Sequence, residues 1–352
     1  MNKILFFKLP LFYMSPKITV FMAAYNAAKY ITEAIESILH QTFEDFELLI
    51  VNDGSTDNTV AIINKFHDPR IRLIHNDRNR GLVFTRNVLL EEARGEYIAI
   101  LDSDDIAISN RLALQYEHFK KHPELALCGG HGQVINHSGD TINDPRLIVP
   151  IGPENIKITL LFLNTFVNST VMYKKEVLLE LNGYNDFAPA EDYELFIRIA
   201  DKYAVDNIDT VLVKYRDHDH NTSVVQVSTG SRKVHEIKKN QLNRLHIEAD
   251  QRLIEVFYSV LAHNFEPFDF SDYLSLFWKL KSANQKLKIY PKEPFEKRLF
   301  EYWFKIIMIK KAKGNALALL FSKKLFNFRY LTAKQFRKTF KLSLRGIGTL
   351  SK

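Results

Sequence analysis

From Lys17 to His122 the chain alternates short apolar blocks with amphipathic ones, and no other feature restricts the fold as strongly. "KITVFMAAYN" predicts a buried strand that ends at Asn26, and "KYITEAIESILHQ" sets Ile31, Ala34, Ile35 and Ile38 at helical spacing. "FELLIVNDGSTDN" repeats the plan, with a strand from Leu48 to Val51, a polar turn, and a helix from about Thr56 to Phe66. Ser55 or Thr56 would cap that helix. "RIRLIHN" is a third strand, and "GLVFTRNVLLEEARG" a third helix with Gly95 as its stop. "EYIAILDSDD" is a fourth strand, followed by a helix in "SNRLALQYEHFKKH" capped by Ser109. Unbroken apolar strands separated by helices predict an α/β fold, with a mostly parallel central sheet covered on both faces. Ligands of such sheets collect at the carboxyl ends of the strands. The polar clusters Tyr25–Asn26, Asp53–Gly54–Ser55 and Asp102–Asp105 all fall there.

Beyond Cys128 the alternation loosens. "CGGHGQVINHSGDTIND" reads as a strand with a Gly-rich turn, "KKEVLLELNGYN" as a helix closed by Gly183, and "AEDYELFIRIADKYAV" as another helix. "IDTVLVKYRDHDHNTS" is a last strand, and after about Gly230 the sequence is helical. Cys128 is the only cysteine, which precludes an intrachain disulfide and suits a reducing compartment. No apolar stretch approaches the ~18 residues that a membrane-crossing helix needs. The opening "MNKILFFKLPLFYM" is broken by Lys8 and Pro10 and lacks a small-residue cleavage site, so it reads as an apolar arm or as leader upstream of Met14.

Charge is unevenly spread. From Glu301 to Lys352 stand 13 basic residues against one acid, a net +12; with the whole chain at +7, the first 300 residues carry −5. A basic tail raises nucleic-acid binding as a non-enzymatic alternative, but the body is acidic and shows no base-reading or stacking module. In the tail, Leu317, Leu320, Phe321, Leu325 and Phe328 recur at helical spacing among Lys323, Lys324 and Arg329. Such a helix either lies on a membrane surface or packs its apolar stripe on the catalytic body.

Several residues have the chemistry of a site. Asp102 and Asp104 are two apart and in an extended segment project to the same side. Two converging carboxylates suit Mg²⁺ or Mn²⁺, or else form a solvated turn that caps the next helix. Asp53, ending a neighbouring strand, either accepts from a base or ribose or serves a polar turn. No G-x-G-x-x-G loop follows the first strand, which argues against a dinucleotide site. Glu191 and Asp192 open a helix, where acids are favoured by the dipole, and Asp192 has the type required of a general base. His218 and His220 are metal ligands, phosphate partners or surface histidines.

Four stretches together resemble the inverting glycosyltransferase family 2. They are "ITVFMAAYNAAKYITEAIESILHQTFEDFELLIVNDGSTDNT", "NRGLVFTRNVLLEEARGEYIAILDSDD", "LLELNGYNDFAPAEDYELFIRIA" and "YRDHDHNTS", spanning roughly Lys17 to Ser223 in the family's order. The resemblance implies a GT-A fold and an enzyme of the bacterial surface-polysaccharide type. It divides the chain into an arm (1–16), a catalytic domain (17–228) and a basic helical region (229–352) for acceptor or membrane association. Ala24, Tyr25 and Asn26 would line the nucleotide pocket, Asp53 would contact the base, and Arg86 would help to hold the nucleotide. "DSD" matches the family's DxD motif: Asp102 and Ser103 would lie near the ribose and the metal, and Asp104 would be the direct metal ligand. His218 would approach the metal or the diphosphate, and Asp192 would be the catalytic base. Thr85 departs from the family's usual alanine. The donor implied is a UDP-hexose or UDP-N-acetylhexosamine, and the acceptor a glycan or lipid-linked hydroxyl. A cytoplasmic enzyme at the inner face of the membrane would follow; a nucleotide-sugar-binding protein without catalysis is the other reading.

Overall fold

The computed structural model describes residues 15–219, 227–312 and 315–347. The apolar stretch through Met14 and His220 lie outside the described residues. Contacts divide the chain into two compact units: one of residues up to 149, 166–186 and 206–218, the other of 150–165, 187–205 and 219–352. The units interleave along the sequence, because 150–165 and 187–205 group with the C-terminal helices.

The first unit is built on a mixed eight-stranded sheet. Its strands are β1 (Ile18–Ala24), β2 (Phe46–Asn52), β3 (Ile71–His75), β4 (Tyr97–Ile100), β5 (Ile106–Ala107), β6 (Leu125–Ile135), β7 (Met172–Lys174) and β8 (Ala204–Arg216), in the order β3-β2-β1-β4-β7-β6-β8-β5. The four strands expected from the alternation form its parallel half, β1 pairing with β2 and β4 and β2 with β3. The β4–β7, β6–β7 and β5–β8 pairs are antiparallel. Every residue of β2 is buried, Glu47 included. Glu47 Oε1 accepts from Thr19 Oγ1 at 2.7 Å and from the Arg94 amide at 2.8 Å, so the buried carboxylate is satisfied.

The helices of this unit are α1 (Ile31–Leu39), α2 (Thr59–Ile63), α3 (Leu82–Glu92) and α4 (Arg111–Lys121). α1 buries Ile31, Ala34, Ile35 and Ile38, the four residues at helical spacing. α2 is shorter than expected, and Ser55 and Thr56 do not cap it. The Asn26 amide donates to Ser55 Oγ at 3.0 Å, and the Thr56 amide donates to Asn26 Oδ1 at 2.9 Å. The two residues therefore pin the loop after β1 to the loop after β2. α4 begins after Asn110 with no side-chain cap, so Ser109 does not serve as one.

Gly95 is not a left-handed helix stop either. Its amide donates to Thr19 Oγ1 at 2.8 Å, and a Cβ added there would stand 2.3 Å from the Thr19 nitrogen. The residue is glycine because the chain must pass against β1. By contrast, Gly183 has φ +66° and returns its amide to the Leu178 carbonyl at 2.9 Å, closing the helix Lys175–Glu180 as its sequence predicts.

The second unit is helical. The short helix Lys175–Glu180 of the first unit is α6, and the elements of the second are α5 (Pro153–Leu160), α7 (Glu191–Lys202), α8 (Val227–Arg244), α9 (Gln251–Leu261), α10 (Phe270–Leu287), α11 (Lys292–Ile309), α12 (Ala316–Leu320) and α13 (Ala333–Ile347). Phe162, Phe257, Phe277, Phe295 and Trp303 anchor one apolar cluster here. Asp269 and Asp272 cap α10 reciprocally. The tail stripe from Leu317 to Phe328 does not form a single helix. α12 stops at Leu320, and the chain turns so that Leu320 and Leu325 enter the cluster while Phe321 and Phe328 stay exposed.

Replacing Gly95 by alanine should lower stability by about 1–3 kcal/mol, because the new methyl group meets backbone that cannot rotate away. Denaturant titration of wild type and Gly95→Ala measures this directly.

Candidate functional site

The carboxyl ends of β1, β2 and β4 lie side by side, and polar loops leave from each. Asn26, with φ +50°, stands at the first loop, beside the exposed Tyr25 and the buried Ala24. Asp53 follows β2 and is buried. Its Oδ1 accepts from Asn76 Nδ2 at 2.7 Å and from the Arg80 amide at 2.8 Å, while Oδ2 accepts from the Gly81 amide at 3.0 Å. Asp53 thus orders the loop between β3 and α3. Asn76 also donates to Thr85 Oγ1 at 2.9 Å, a bond that alanine could not make. The departure at Thr85 therefore has a structural use.

The "DSDD" stretch after β4 is a turn rather than an extended segment, closed by the Asp105 amide on the Asp102 carbonyl at 3.2 Å. Its three carboxylates consequently have different partners. Asp102 accepts from Asn168 Nδ2 at 3.0 and 3.1 Å, from Ser169 Oγ at 2.9 Å, and from Arg86 at 3.5 Å. Asp104 Oδ2 stands 2.9 Å from His218 Nε2. Asp105 points inward and accepts from the Arg216 amide at 2.8 Å. Burial, and then the charges of Asp104 and Asp102, push its carboxyl well above the usual range.

Arg216 closes the turn from behind and is buried at the end of β8. Its Nε donates to the Asp104 carbonyl at 2.9 Å, and Nη2 donates to Glu33 at 2.8 Å. Its guanidinium lies 4.5 Å from the Tyr30 ring centroid, and that ring stands 5.2 Å from the His218 ring. Below the strand end, the buried Arg111 donates to the Ile100 and Val171 carbonyls at 2.8 and 3.1 Å. Burial lowers its pKa to about 9.

The structure thus gathers Asp102, Asp104 and His218 with Ser103 in the same turn, and sets Arg86 against Asp102. Asp104 Oδ2 and His218 Nε2 converge as an oxygen and nitrogen pair, the donor types that Mg²⁺, Mn²⁺ or Zn²⁺ sites use. Among the described residues no group of three His, Cys, Asp or Glu side chains converges on one point. Further ligands would have to be phosphate oxygens or water, as hard cations allow. The sequence reading missed Arg216, Asn168 and Ser169. The only signals were an arginine in "YRDHDH" and a polar "NST" before a short strand.

In the second unit, Asp192 opens α7. Its Oδ1 accepts from the Tyr193 amide at 2.6 Å and its Oδ2 from Asn164 Nδ2 at 3.3 Å. Glu191 beside it is buried. Tyr193, the next residue, donates its hydroxyl to the Leu160 carbonyl at 2.7 Å. That hydroxyl accepts in turn from Lys238 Nζ at 2.6 Å, and Lys238 also donates to the Leu161 and Phe162 carbonyls at 2.7 and 3.1 Å. A fully buried lysine thereby fixes the start of α7 against the end of α5; nothing in the local sequence marks it. A cleft of 890 Å³ in this unit, lined by Lys157, Asp201, Tyr203, Asn284 and Tyr290 among others, holds none of the residues singled out in the sequence.

A family profile for glycosyl transferase family 2 matches residues 19–181. The Escherichia coli enzyme WfgD, a UDP-Glc:α-D-GlcNAc-diphosphoundecaprenol β-1,3-glucosyltransferase, is 31% identical over 224 residues, covering 63% of this chain and 83% of that one. Staphylococcus aureus TarS 1–349 in complex with UDP-GlcNAc aligns over 86% of this chain and 88% of its own, with TM-score 0.54 and 18% identity. The mannosyltransferase PcManGT of Pyrobaculum calidifontis, in complex with GDP-Man and Mn²⁺, aligns over 94% and 87%, with TM-score 0.52 and 17% identity. The two structural likenesses are of fold, and the fold is GT-A.

Arg216→Ala should cost about 3–5 kcal/mol in chemical denaturation, because it strips a buried charge from its acceptors. Arg216→Lys should recover only part of that loss, lacking the planar fork. Burial also pushes Lys238 well below its ordinary pKa of 10.5. Between the lowered value and 10.5 the unfolded chain binds more protons than the folded one, so stability rises with pH across that window. Lys238→Met should flatten this rise in denaturation midpoints measured over an alkaline series.

Proposed function

Because the chain belongs to glycosyltransferase family 2 and is a glycosyltransferase, we propose that it transfers a sugar with inversion from a nucleotide-sugar donor to a hydroxyl of a glycan or lipid-linked acceptor in cell-surface polysaccharide biosynthesis. The observation that carries this reading is the meeting of Asp104 and His218 at 2.9 Å, beside Asp102, at the carboxyl ends of parallel strands. A UDP-hexose or UDP-N-acetylhexosamine is the donor, with support from the UDP-Glc in the name of WfgD and the UDP-GlcNAc bound to TarS. The diphosphoundecaprenol acceptor of WfgD supports a lipid-linked acceptor.

In this reading, Ala24, Tyr25 and Asn26 line the nucleotide pocket. Asp53 Oδ2 accepts one backbone amide and retains a lone pair for a base N–H. Arg86, Asp102 and Ser103 hold the ribose and diphosphate. Asp104 and His218 would hold a divalent cation, which would take the place of the proton shared between them. Mn²⁺ or Mg²⁺ suits this oxygen and nitrogen pair, and the Mn²⁺ complex of PcManGT supports it. The cation supplies Lewis acidity toward the negative charge that grows on the leaving diphosphate.

Asp192 takes the proton from the acceptor hydroxyl as the hydroxyl attacks the anomeric carbon opposite the leaving group. A single displacement inverts that centre, through a transition state of oxocarbenium character. Asn164 holds the Asp192 carboxylate in position for this step. We assign catalysis to residues 17–228 and acceptor or membrane association to 229–352, in a cytoplasmic protein peripheral to the inner face of the membrane. No helix among the described residues is long and apolar enough to cross a membrane.

Asp192→Asn should lower turnover by about 10²–10⁴-fold, the typical contribution of a positioned base. Donor affinity should stay within a few-fold, whereas Asp104→Ala should weaken donor binding in the presence of Mn²⁺. UDP release and calorimetric titration of UDP-sugars separate the two effects. Near wild-type turnover in Asp192→Asn refutes the base. Donor binding without any UDP release by the wild type would instead mark a nucleotide-sugar-binding protein.

A further inference from the structure

Helix α13 turns its apolar line outward. Phe336, Phe340 and Leu344 follow one another at four-residue steps and are 40%, 45% and 51% exposed, while Thr339 and Ser343 are 0% and 6% exposed. A helix docked on its own core shows the reverse distribution. The inward polar face is satisfied: Ser343 Oγ accepts from the Leu317 amide at 3.0 Å, and Thr339 Oγ1 donates to the Gln335 carbonyl at 2.9 Å.

The apolar line continues off the helix. The Phe321 and Phe336 rings are 6.5 Å apart, and Phe326 bridges Phe321 to Phe328 at 4.7 and 4.9 Å. Phe328 is 78% exposed. Along the same helix Lys334, Arg337, Lys338 and Lys341 are exposed. Lys323, Lys324 and Arg329 are exposed on the segment before it, and the sequence has no acid from Tyr302 to Lys352.

We propose that this aromatic and basic face binds the surface of an anionic phospholipid bilayer. The rings and Leu344 enter the boundary between headgroups and acyl chains, and the lysines and arginines meet lipid phosphates. Charge complementarity selects this occupant. A second copy would bring like charges together with no acid to offset them. The surface gives the membrane-association part of the proposed function a definite location, and rests on that reading only for its biological sense.

The test is flotation of the full-length protein, without donor, on vesicles of phosphatidylcholine alone and of equal parts phosphatidylcholine and phosphatidylglycerol. The protein should float with the anionic vesicles only. Phe336→Ser with Phe340→Ser should weaken binding by about ten-fold or more. Lys334→Gln, Lys338→Gln and Lys341→Gln together should weaken it by about five-fold for each charge removed. The lysines are exposed and the two rings touch only Phe321 and each other among the described aromatic rings, so the thermal midpoint should fall by no more than a few degrees, and UDP release from a UDP-sugar on the same preparations should match wild type. Equal binding to both vesicles, or anionic binding that neither variant weakens, overturns the proposal. So does failure to float on the anionic vesicles; salt-sensitive retention on single-stranded DNA, or a dimer that the Phe336→Ser, Phe340→Ser variant abolishes, would then name the occupant instead. Flotation without UDP release would leave the surface standing and remove the transferase reading instead.

Discussion

A buried guanidinium behind a turn of carboxylates is the interaction on which the first unit's site depends. Three arginines, from α3, α4 and the end of β8, are buried around Asp102–Asp105. Each charge alone in that position would carry a desolvation penalty of several kcal/mol. Opposite charges a few ångströms apart, with carbonyls accepting further protons of Arg111 and Arg216, make the arrangement tolerable, although Arg111 Nη1 is left without a partner among the described residues. Burial still weighs more heavily than these charges at Arg111, whose pKa falls to about 9, and at Asp105, whose carboxyl is pushed upward. The turn is therefore held from below and behind, while the Asp102 and Asp104 carboxylates remain partly open. The result is a turn fixed by buried arginines that presents the Asp102 and Asp104 carboxylate oxygens to solvent.

How much of this was legible depended on whether the information was local. Strand and helix alternation is local, so β1 to β4 and the placing of Asn26, Asp53 and Asp102 at their ends followed from pattern alone. The orientation of the "DSDD" carboxylates was not legible, because it assumed extended backbone where the chain turns. The partners were less legible still. His218 lies 114 residues from Asp104, and Asn168 lies 66 from Asp102. No periodicity reports such distances; the histidines of "YRDHDH" were visible as possible ligands, but only the family resemblance set His218 at the metal or diphosphate. Glycines misled in a particular way: Gly95 has the position of a helix stop but serves a close backbone passage, which sequence does not distinguish from a stop.

The second unit shows the same division. Asp192 was visible as an acid at a helix start, yet the device that fixes that start was not. Lys238 is on α8, 45 residues beyond Tyr193, and its role follows from complete burial among carbonyls and a hydroxyl. A lysine in a basic, helical stretch reads as solvated surface, since burying one is costly. The packing of α8 against the end of α5 and the start of α7 supplies the acceptors that make it acceptable.

The tail extends the argument from residues to faces. A repeat of apolar residues at helical spacing says that a helix has two sides, but not which side the fold will bury. Burial goes to whichever side finds a partner. Trp303, Phe300, Leu320 and Leu325 already belong to the apolar cluster of the second unit. α13 meets that unit through Thr339, Leu342 and Ser343, with Ser343 accepting the amide at the start of α12. Its phenylalanines are left facing solvent, where every exposed ring keeps an unfavourable hydration term that folding has not removed. A sequence that places lysines and arginines beside those rings, and no acid within the same stretch, makes that face soluble without making it neutral. The aromatic line and the charge asymmetry therefore have one physical consequence, a surface that is apolar and cationic in the same place.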